Sequence, residues 1–70
     1  MAGQTIYFNI ESAVGGFVWR IRRHGNHEIL CSSEILHDRA TCLYAMRLVR
    51  DNAGGEDVYW DTDSQKWNPL

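Results

Sequence analysis

The sequence lacks any apolar run near the length of about 20 residues that a membrane-spanning helix requires. Its first five residues lack the basic and apolar regions of a secretory signal peptide, so we expect a cytoplasmic protein that does not bind membranes. The two cysteines, Cys31 and Cys42, do not have the CxxC spacing of redox or zinc sites. We interpret both as reduced, buried side chains in a reducing compartment.

The chain also lacks a strong excess of charge of either sign, since its formal net charge is −2. This value gives no general attraction to nucleic acid or to anionic membranes. The histidines, His24, His27 and His37, do not follow the spacing of zinc sites, and no glycine-rich stretch resembles a phosphate-binding loop. Both cysteines are assigned to core faces, away from the base that a nucleophile needs. The sequence therefore predicts no metal, no cofactor and no enzymatic activity.

One clear helical pattern spans residues 38–53. Asp38 is a plausible N-cap, because its carboxylate can accept hydrogen bonds from the first turn. Gly54 and Gly55 follow the pattern and predict the end of the helix. The spacing i, i+3, i+4, i+7, i+11 places one apolar stripe on the helix. This stripe consists of small or flexible residues, as expected for a helix lying on a sheet: Cys42, Ala45, Met46, Val49 and Ala53.

The remaining segments alternate between apolar and polar residues, as strands do. Antiparallel strands are predicted at 5–11, 16–22, 28–32 and 57–61, and a short fifth strand begins at Lys66. Short turns join the first three strands into an antiparallel meander. The prediction is an α+β fold: this meander, one helix packed on the sheet, then one or two further strands. Residues 1–70 form a single domain with its core at 5–61, and 62–70 are a short strand or tail in which 68–70 are a loose end.

The same alternation assigns side chains to the two faces of the sheet. Phe17, Trp19 and Ile21 are predicted to face the helix, and so are Ile29 and Cys31. One helix covers only one face of a sheet. Apolar side chains are therefore expected on or near an open second face: Tyr7, Val18, Leu30, Tyr59 and at least one tryptophan.

In this order, the segments resemble the YegP-like family of small domains of unknown function. The first two strands, the Ser-Glu pair and the end of the helix carry the resemblance: Phe8, Ile10, Gly16, Phe17, Trp19, Arg20, Ile21, Ser33, Glu34, Met46, Val49, Asn52 and Ala53. The hairpin at Gly25-Asn26 and the pair Ile35-Leu36 depart from the family pattern. The resemblance implies a sheet-and-helix unit that occurs as tandem repeats or as one repeat pairing with itself. It implies no catalytic residue.

We therefore expect a symmetric homodimer that also binds a protein or peptide. Phe8 and Phe17 are separated by the same number of residues as Val58 and Trp67. Residues 58–67 therefore resemble the opening strand of a second repeat. The expected interface residues come from that second segment: Val58, Tyr59, Trp60 and Trp67.

The alternative is binding of single-stranded nucleic acid by residues 19–27, where Arg20, Arg22 and Arg23 could bind phosphates. The same arginines are the residues expected to bind another anion or another partner. Against nucleic acid, Trp19 is assigned to the core face, opposite Arg20 and Arg22.

Overall fold

The computed structural model describes residues 5–70. Five strands and one helix follow one another along this part of the chain: β1 (Ile6–Ala13), β2 (Gly16–Arg23), β3 (Ile29–Ser32), α1 (Arg39–Ala53), β4 (Val58–Asp61) and β5 (Lys66–Pro69). The α+β class, the single helix and the fifth strand confirm the predictions. No helix within residues 5–70 is long and apolar enough to cross a membrane.

The five strands form one sheet in the order β3-β2-β1-β4-β5. β1, β2 and β3 pair antiparallel, as the predicted meander requires. The prediction that β4 is antiparallel was wrong, because β4 pairs with β1 in parallel. β3 runs in the same direction as β1. α1 then carries the chain back across the sheet, so β4 starts at the same end of the sheet as β1 and runs parallel to it. A parallel pair needs such a crossover connection.

The helix begins and ends as predicted. The Asp38 carboxylate accepts a hydrogen bond of 2.8 Å from the backbone N–H of Thr41. At the other end, Gly54 has a φ of 93° and its N–H donates to the carbonyl of Arg50. Of the predicted stripe, Cys42 and Met46 are fully buried.

The core lies between α1 and one face of β1, β2 and β4. Its buried members come from three elements: Phe8, Ile10, Cys42, Met46 and Tyr59. Phe17, Trp19 and Ile21 pack against them, as predicted. The assignment of Tyr59 to the open face was wrong. Tyr59 is paired with Phe8 in the sheet and therefore shares its face.

The side chains of β3 are not part of this core. All four of its residues are exposed, and Ile29 is 47% exposed. The predictions that Ile29 points inward and that Cys31 is buried were wrong. β3 is an edge strand, and the core is built on β1, β2, β4 and α1, so its side chains lie beyond the core.

The end of the chain is ordered by several contacts, so the prediction of a loose end at 68–70 was wrong. Asn68 and Pro69 belong to β5. The backbone N–H of Leu70 donates to the carbonyl of Asp57, and Arg47 Nε donates to the carbonyl of Leu70 at 2.8 Å. The Leu70 side chain packs against the core.

Candidate binding pocket on the open face

A concave pocket of about 480 Å³ lies on the sheet face opposite α1. This volume is within the range of about 300–1,000 Å³ that is usual for ligand sites. Two groups of side chains line it. The aromatic wall consists of Tyr7, His24, His27, Trp60 and Trp67, and the polar floor consists of Asn9, Glu11, Arg22 and Thr62. Strand alternation in β1 and β2 and the pairing of β1 with β4 bring these residues together.

Trp67 packs against Tyr7 and Trp60 at steep angles. The centroid of Trp67 lies 5.3 Å from that of Tyr7 and 5.3 Å from that of Trp60, with interplanar angles of 68° and 64°. Edge-to-face arrangements at such distances are favoured by the quadrupoles of aromatic rings. The ring of His24 lies 4.8 Å from that of Tyr7 and is tilted at 39° to it. Tyr7 is also fixed by a hydrogen bond of 2.8 Å between its hydroxyl and Nδ1 of His27.

The polar floor is organised by Asn9, whose side chain is fully buried. Its Nδ2 donates to the carbonyls of Ile10 and Trp60 and to Oγ1 of Thr62, at 3.2, 3.2 and 2.7 Å. Its Oδ1 accepts a hydrogen bond of 2.7 Å from Nε of Arg22. A buried amide with these partners satisfies its own polar atoms and holds the arginine beside it in one orientation.

The charged groups of the floor balance one another. Glu11 Oε2 lies 2.6 Å from Nη1 of Arg20, and Glu11 Oε1 lies 3.7 Å from Nη2 of Arg22. Arg22 Nη1 donates to the carbonyl of His27 at 2.9 Å. Apart from its histidines, the pocket lining has one acidic side chain, Glu11, and one basic side chain, Arg22.

A family model described as Domain of unknown function (DUF1508) matches residues 12–59, more than half of the chain. The chain belongs to this family. The match confirms the resemblance to the YegP-like family that the sequence carries. Neither the curated proteins nor the solved structures gave a significant match.

Only part of the pocket lining lies within the residues that match DUF1508. Arg22, His24 and His27 lie within residues 12–59. Most of the lining lies outside the match: Tyr7, Asn9, Glu11, Trp60, Thr62 and Trp67. Membership of the DUF1508 family therefore says nothing about what this pocket binds, and any assignment depends on the geometry of this chain.

The predicted interface residues are separated by the structure. Val58 and Trp67 are 37% and 45% exposed on the open face, whereas Trp60 is half-buried in the aromatic wall. Tyr59 lies in the core and is not available to a partner.

The predicted anion-binding residues are also divided. Arg20 and Arg22 are both on the open face, and Arg22 lines the pocket. Arg23 is on the other face of β2, where its exposed guanidinium lies 3.9 Å from Glu28.

Six lining residues were not predicted as members of a binding site: Tyr7, Asn9, Glu11, His24, His27 and Thr62. Asn9 had a usable signal, since it is a polar residue within the apolar pattern of β1. His24 and His27 had no such signal, because histidines beside a hairpin turn are usually solvated. Within residues 5–70, no group of three or more His, Cys, Asp or Glu side chains is placed to hold a metal ion.

A second polar cluster lies under the start of α1. Arg39 forms an ion pair with the buried carboxylate of Asp61, and its Nη2 also donates to the Tyr59 hydroxyl at 3.3 Å. Burial opposes ionisation of Asp61, but the hydrogen bond and charge of Arg39 outweigh that effect and lower its pKa. Asp61 Oδ1 also accepts from the backbone N–H of Asp63. We interpret this cluster as structural, because it fixes α1 to the β4–β5 turn.

Proposed function

We propose that this DUF1508 domain is a non-enzymatic binding module that forms a homodimer and binds a peptide segment in the pocket on its open face. The pocket, with its aromatic wall and its neutral polar floor, is the observation that carries the proposal. Its titratable groups are engaged in contacts that hold side chains in place: Glu11 with Arg20, and Tyr7 with His27. Such an arrangement favours binding over proton transfer.

The homodimer is supported by apolar surface at one end of the open face. Val58 and Pro69 are opposite one another in the β4–β5 register, and both are exposed. Neither lines the pocket, whereas the neighbouring Trp67 does. A two-fold contact centred on Val58 would bury the same patch on each copy. A domain of 70 residues has a small core, and a partner chain is one of the usual ways to stabilise it.

The dimer is tested by light scattering on the purified chain at micromolar concentration. We expect twice the 8.1 kDa mass of one chain, and no dissociation in high salt because the contact is apolar. Val58→Asp should give a folded monomer. Val14→Asp is the matched control, because Val14 is 96% exposed in the β1–β2 turn and should leave the dimer intact. A monomeric wild-type protein would disprove the dimer.

Peptide binding is tested by selecting binders from a random peptide library displayed on phage. Selected peptides should bind the wild-type domain and lose binding to Trp67→Ala, which removes one side of the aromatic wall. Tyr44→Ala is the control, since Tyr44 is an exposed aromatic residue on α1, outside the pocket. Peptides that bind Trp67→Ala and wild type equally, or the absence of any enriched peptide, would contradict this part of the proposal.

Binding of single-stranded nucleic acid is a second candidate with one observation in its favour. Arg20 and Arg22 share the open face with Trp60 and Trp67, so arginines and stacking rings occupy one surface. Against this candidate, the carboxylate of Glu11 lies close to both arginines. Anisotropy of labelled DNA and RNA oligonucleotides at several salt concentrations separates the two candidates. Phosphate binding requires an affinity that falls steeply as salt increases.

A further inference from the structure

The hydrogen-bonding groups of the polar floor restrict the chemistry of a ligand. Arg22 uses Nε to bind Asn9 and Nη1 to bind the carbonyl of His27. Its Nη2 lies 3.7 Å from Glu11 Oε1, which is longer than a hydrogen bond of about 2.7–3.2 Å. A donor and an acceptor are thus presented side by side. The backbone N–H and carbonyl of one extended residue complement them, because in an extended residue these two groups point to the same side. Its carbonyl accepts from Arg22 and its N–H donates to Glu11.

Charge around the pocket points to a neutral ligand. Glu11 and Arg22 are the acid and the arginine of the lining itself. One further arginine and one further acid contact this lining. Nη1 of Arg20 lies 2.6 Å from Glu11, and Glu56 lies 3.5 Å from Nε2 of His24. The two arginines and two carboxylates balance, so a phosphate chain would meet the carboxylates and a cation would meet the arginines.

The aromatic wall accommodates a further ring. Trp67 is partly exposed and already contacts Tyr7 and Trp60 at steep angles. A ligand ring placed against Trp67 would extend the same edge-to-face packing, which adds to the burial of its apolar area.

We propose that the pocket binds an aromatic residue of a peptide in extended conformation, through its ring and through its own uncharged backbone N–H and carbonyl. The ring packs against Trp67, the carbonyl accepts from Arg22 and the N–H donates to Glu11. This inference rests on the proposed peptide-binding function and names the residue type that the site selects.

The test is an NMR titration of the ¹⁵N-labelled full chain with N-acetyl-phenylalaninamide, which has one ring and uncharged amides. We expect a dissociation constant on the order of millimolar for a ligand of this size. Signals of Tyr7 and Asn9, the Arg22 side chain and the Trp67 indole should shift. N-acetyl-leucinamide should bind about tenfold more weakly, because it lacks the ring. Equal binding of the leucine compound, or shifts confined to residues outside the pocket, would overturn the inference.

Charge selectivity provides a second measurement on the same protein. N-acetyl-phenylalanine, an anion, and phenylalaninamide, a cation, should both bind several-fold more weakly than the neutral compound. Glu11→Gln makes the pocket cationic, so the anion should then bind at least as well as the neutral compound. A nucleotide such as AMP that binds the wild type more tightly than the neutral amide would instead favour nucleic acid and overturn the inference.

Two variants separate this inference from the proposed function. Trp67→Ala should weaken binding of N-acetyl-phenylalaninamide about tenfold, with Tyr44→Ala unchanged. Val58→Asp should abolish the dimer and keep the titration result, because Val58 does not line the pocket. Library peptides that bind through Trp67 but contain no aromatic residue would support the proposed function and contradict the inference.

Discussion

The side-chain oxygen of Asn9 accepts a hydrogen bond of 2.7 Å from Nε of Arg22, which lies on the neighbouring strand. Asn9 is fully buried and its Nδ2 reaches Thr62, beyond the end of β4. One amide therefore joins β1, β2 and the segment after β4 across the middle of the sheet. This buried amide and the carbonyl of His27 together hold Arg22 in the floor of the pocket.

Replacing Asn9 with alanine tests the importance of this amide. The change leaves Arg22 Nε and Thr62 without their partner, and we expect a loss of about 1–3 kcal/mol in the free energy of unfolding. Asn52→Ala is the control, because Asn52 is exposed on α1 and donates only to the carbonyl of Leu48. It should change stability by no more than about 0.5 kcal/mol. Urea unfolding followed by circular dichroism measures both, and equal effects would argue against a special role for Asn9.

The alternation of apolar and polar residues was sufficient to assign the faces of β1 and β2. Phe8 and Ile10, and opposite them Trp19 and Ile21, are separated by polar residues, so one register fits the core. Alternation fails for Val58, Tyr59 and Trp60, because all three are apolar and either face is consistent with the pattern. Only the pairing of Tyr59 with Phe8 decides which side is buried.

The pocket could not be predicted for a related reason. Its floor depends on contacts between Asn9 and residues Trp60 and Thr62, which follow from the parallel pairing of β1 with β4. Local patterns describe each strand separately and do not indicate which strands become neighbours. The helix was predicted correctly because its signals, the Asp38 cap and the Gly54 end, are local.

Thiol labelling tests the different environments of the two cysteines. Cys31 is exposed on the edge strand, whereas Cys42 is fully buried on the inner face of α1. Burial raises the pKa of the Cys42 thiol, and the nearby charge of Asp38 acts in the same direction, so less of the reactive thiolate is present. With an aromatic disulfide reagent at pH 8, we expect one rapidly reacting thiol per chain and a second only in urea. Cys31→Ser should remove the rapid phase. Two rapid thiols in the native protein would contradict the structure.

Gly16 is required by a close approach between backbones. A β-carbon at this position would lie 2.0 Å from the carbonyl oxygen of Leu36. That oxygen accepts the hydrogen bond from the Phe17 N–H, so it cannot move without breaking the bridge to β2. Gly16→Ala should cost about 3 kcal/mol in the free energy of unfolding, the upper part of the range for overpacking.

Gly25→Ala is the matched control, since no atom lies within 4 Å of its added carbon, and only the backbone conformation opposes it. It should cost about 1 kcal/mol. Equal costs in urea unfolding would show that the Leu36 contact can relax.

The ion pair between Arg39 and Asp61 makes stability depend on pH. The pKa of Asp61 is lowered in the folded state, because the contact with Arg39 outweighs the effect of burial. The ordinary carboxyl pKa of aspartate is about 3.9. Above that value Asp61 is charged in both states and the pair contributes its full stabilisation. As the pH falls through the lower pKa of the folded state, the contribution is lost.

Asp61→Asn should therefore reduce the free energy of unfolding at pH 7 by about 1–3 kcal/mol, since Arg39 loses its charged partner. The amide oxygen of asparagine remains as an acceptor for the turn. The difference from wild type should shrink as the pH is lowered from about 4 towards 2, because protonation then removes the same charge from the wild-type protein. Asp51→Asn, at an exposed position on α1, is the control and should follow the wild-type dependence on pH. Urea unfolding at each pH measures the three proteins. A difference between Asp61→Asn and wild type that stayed constant over this range would mean that the ion pair does not stabilise the fold.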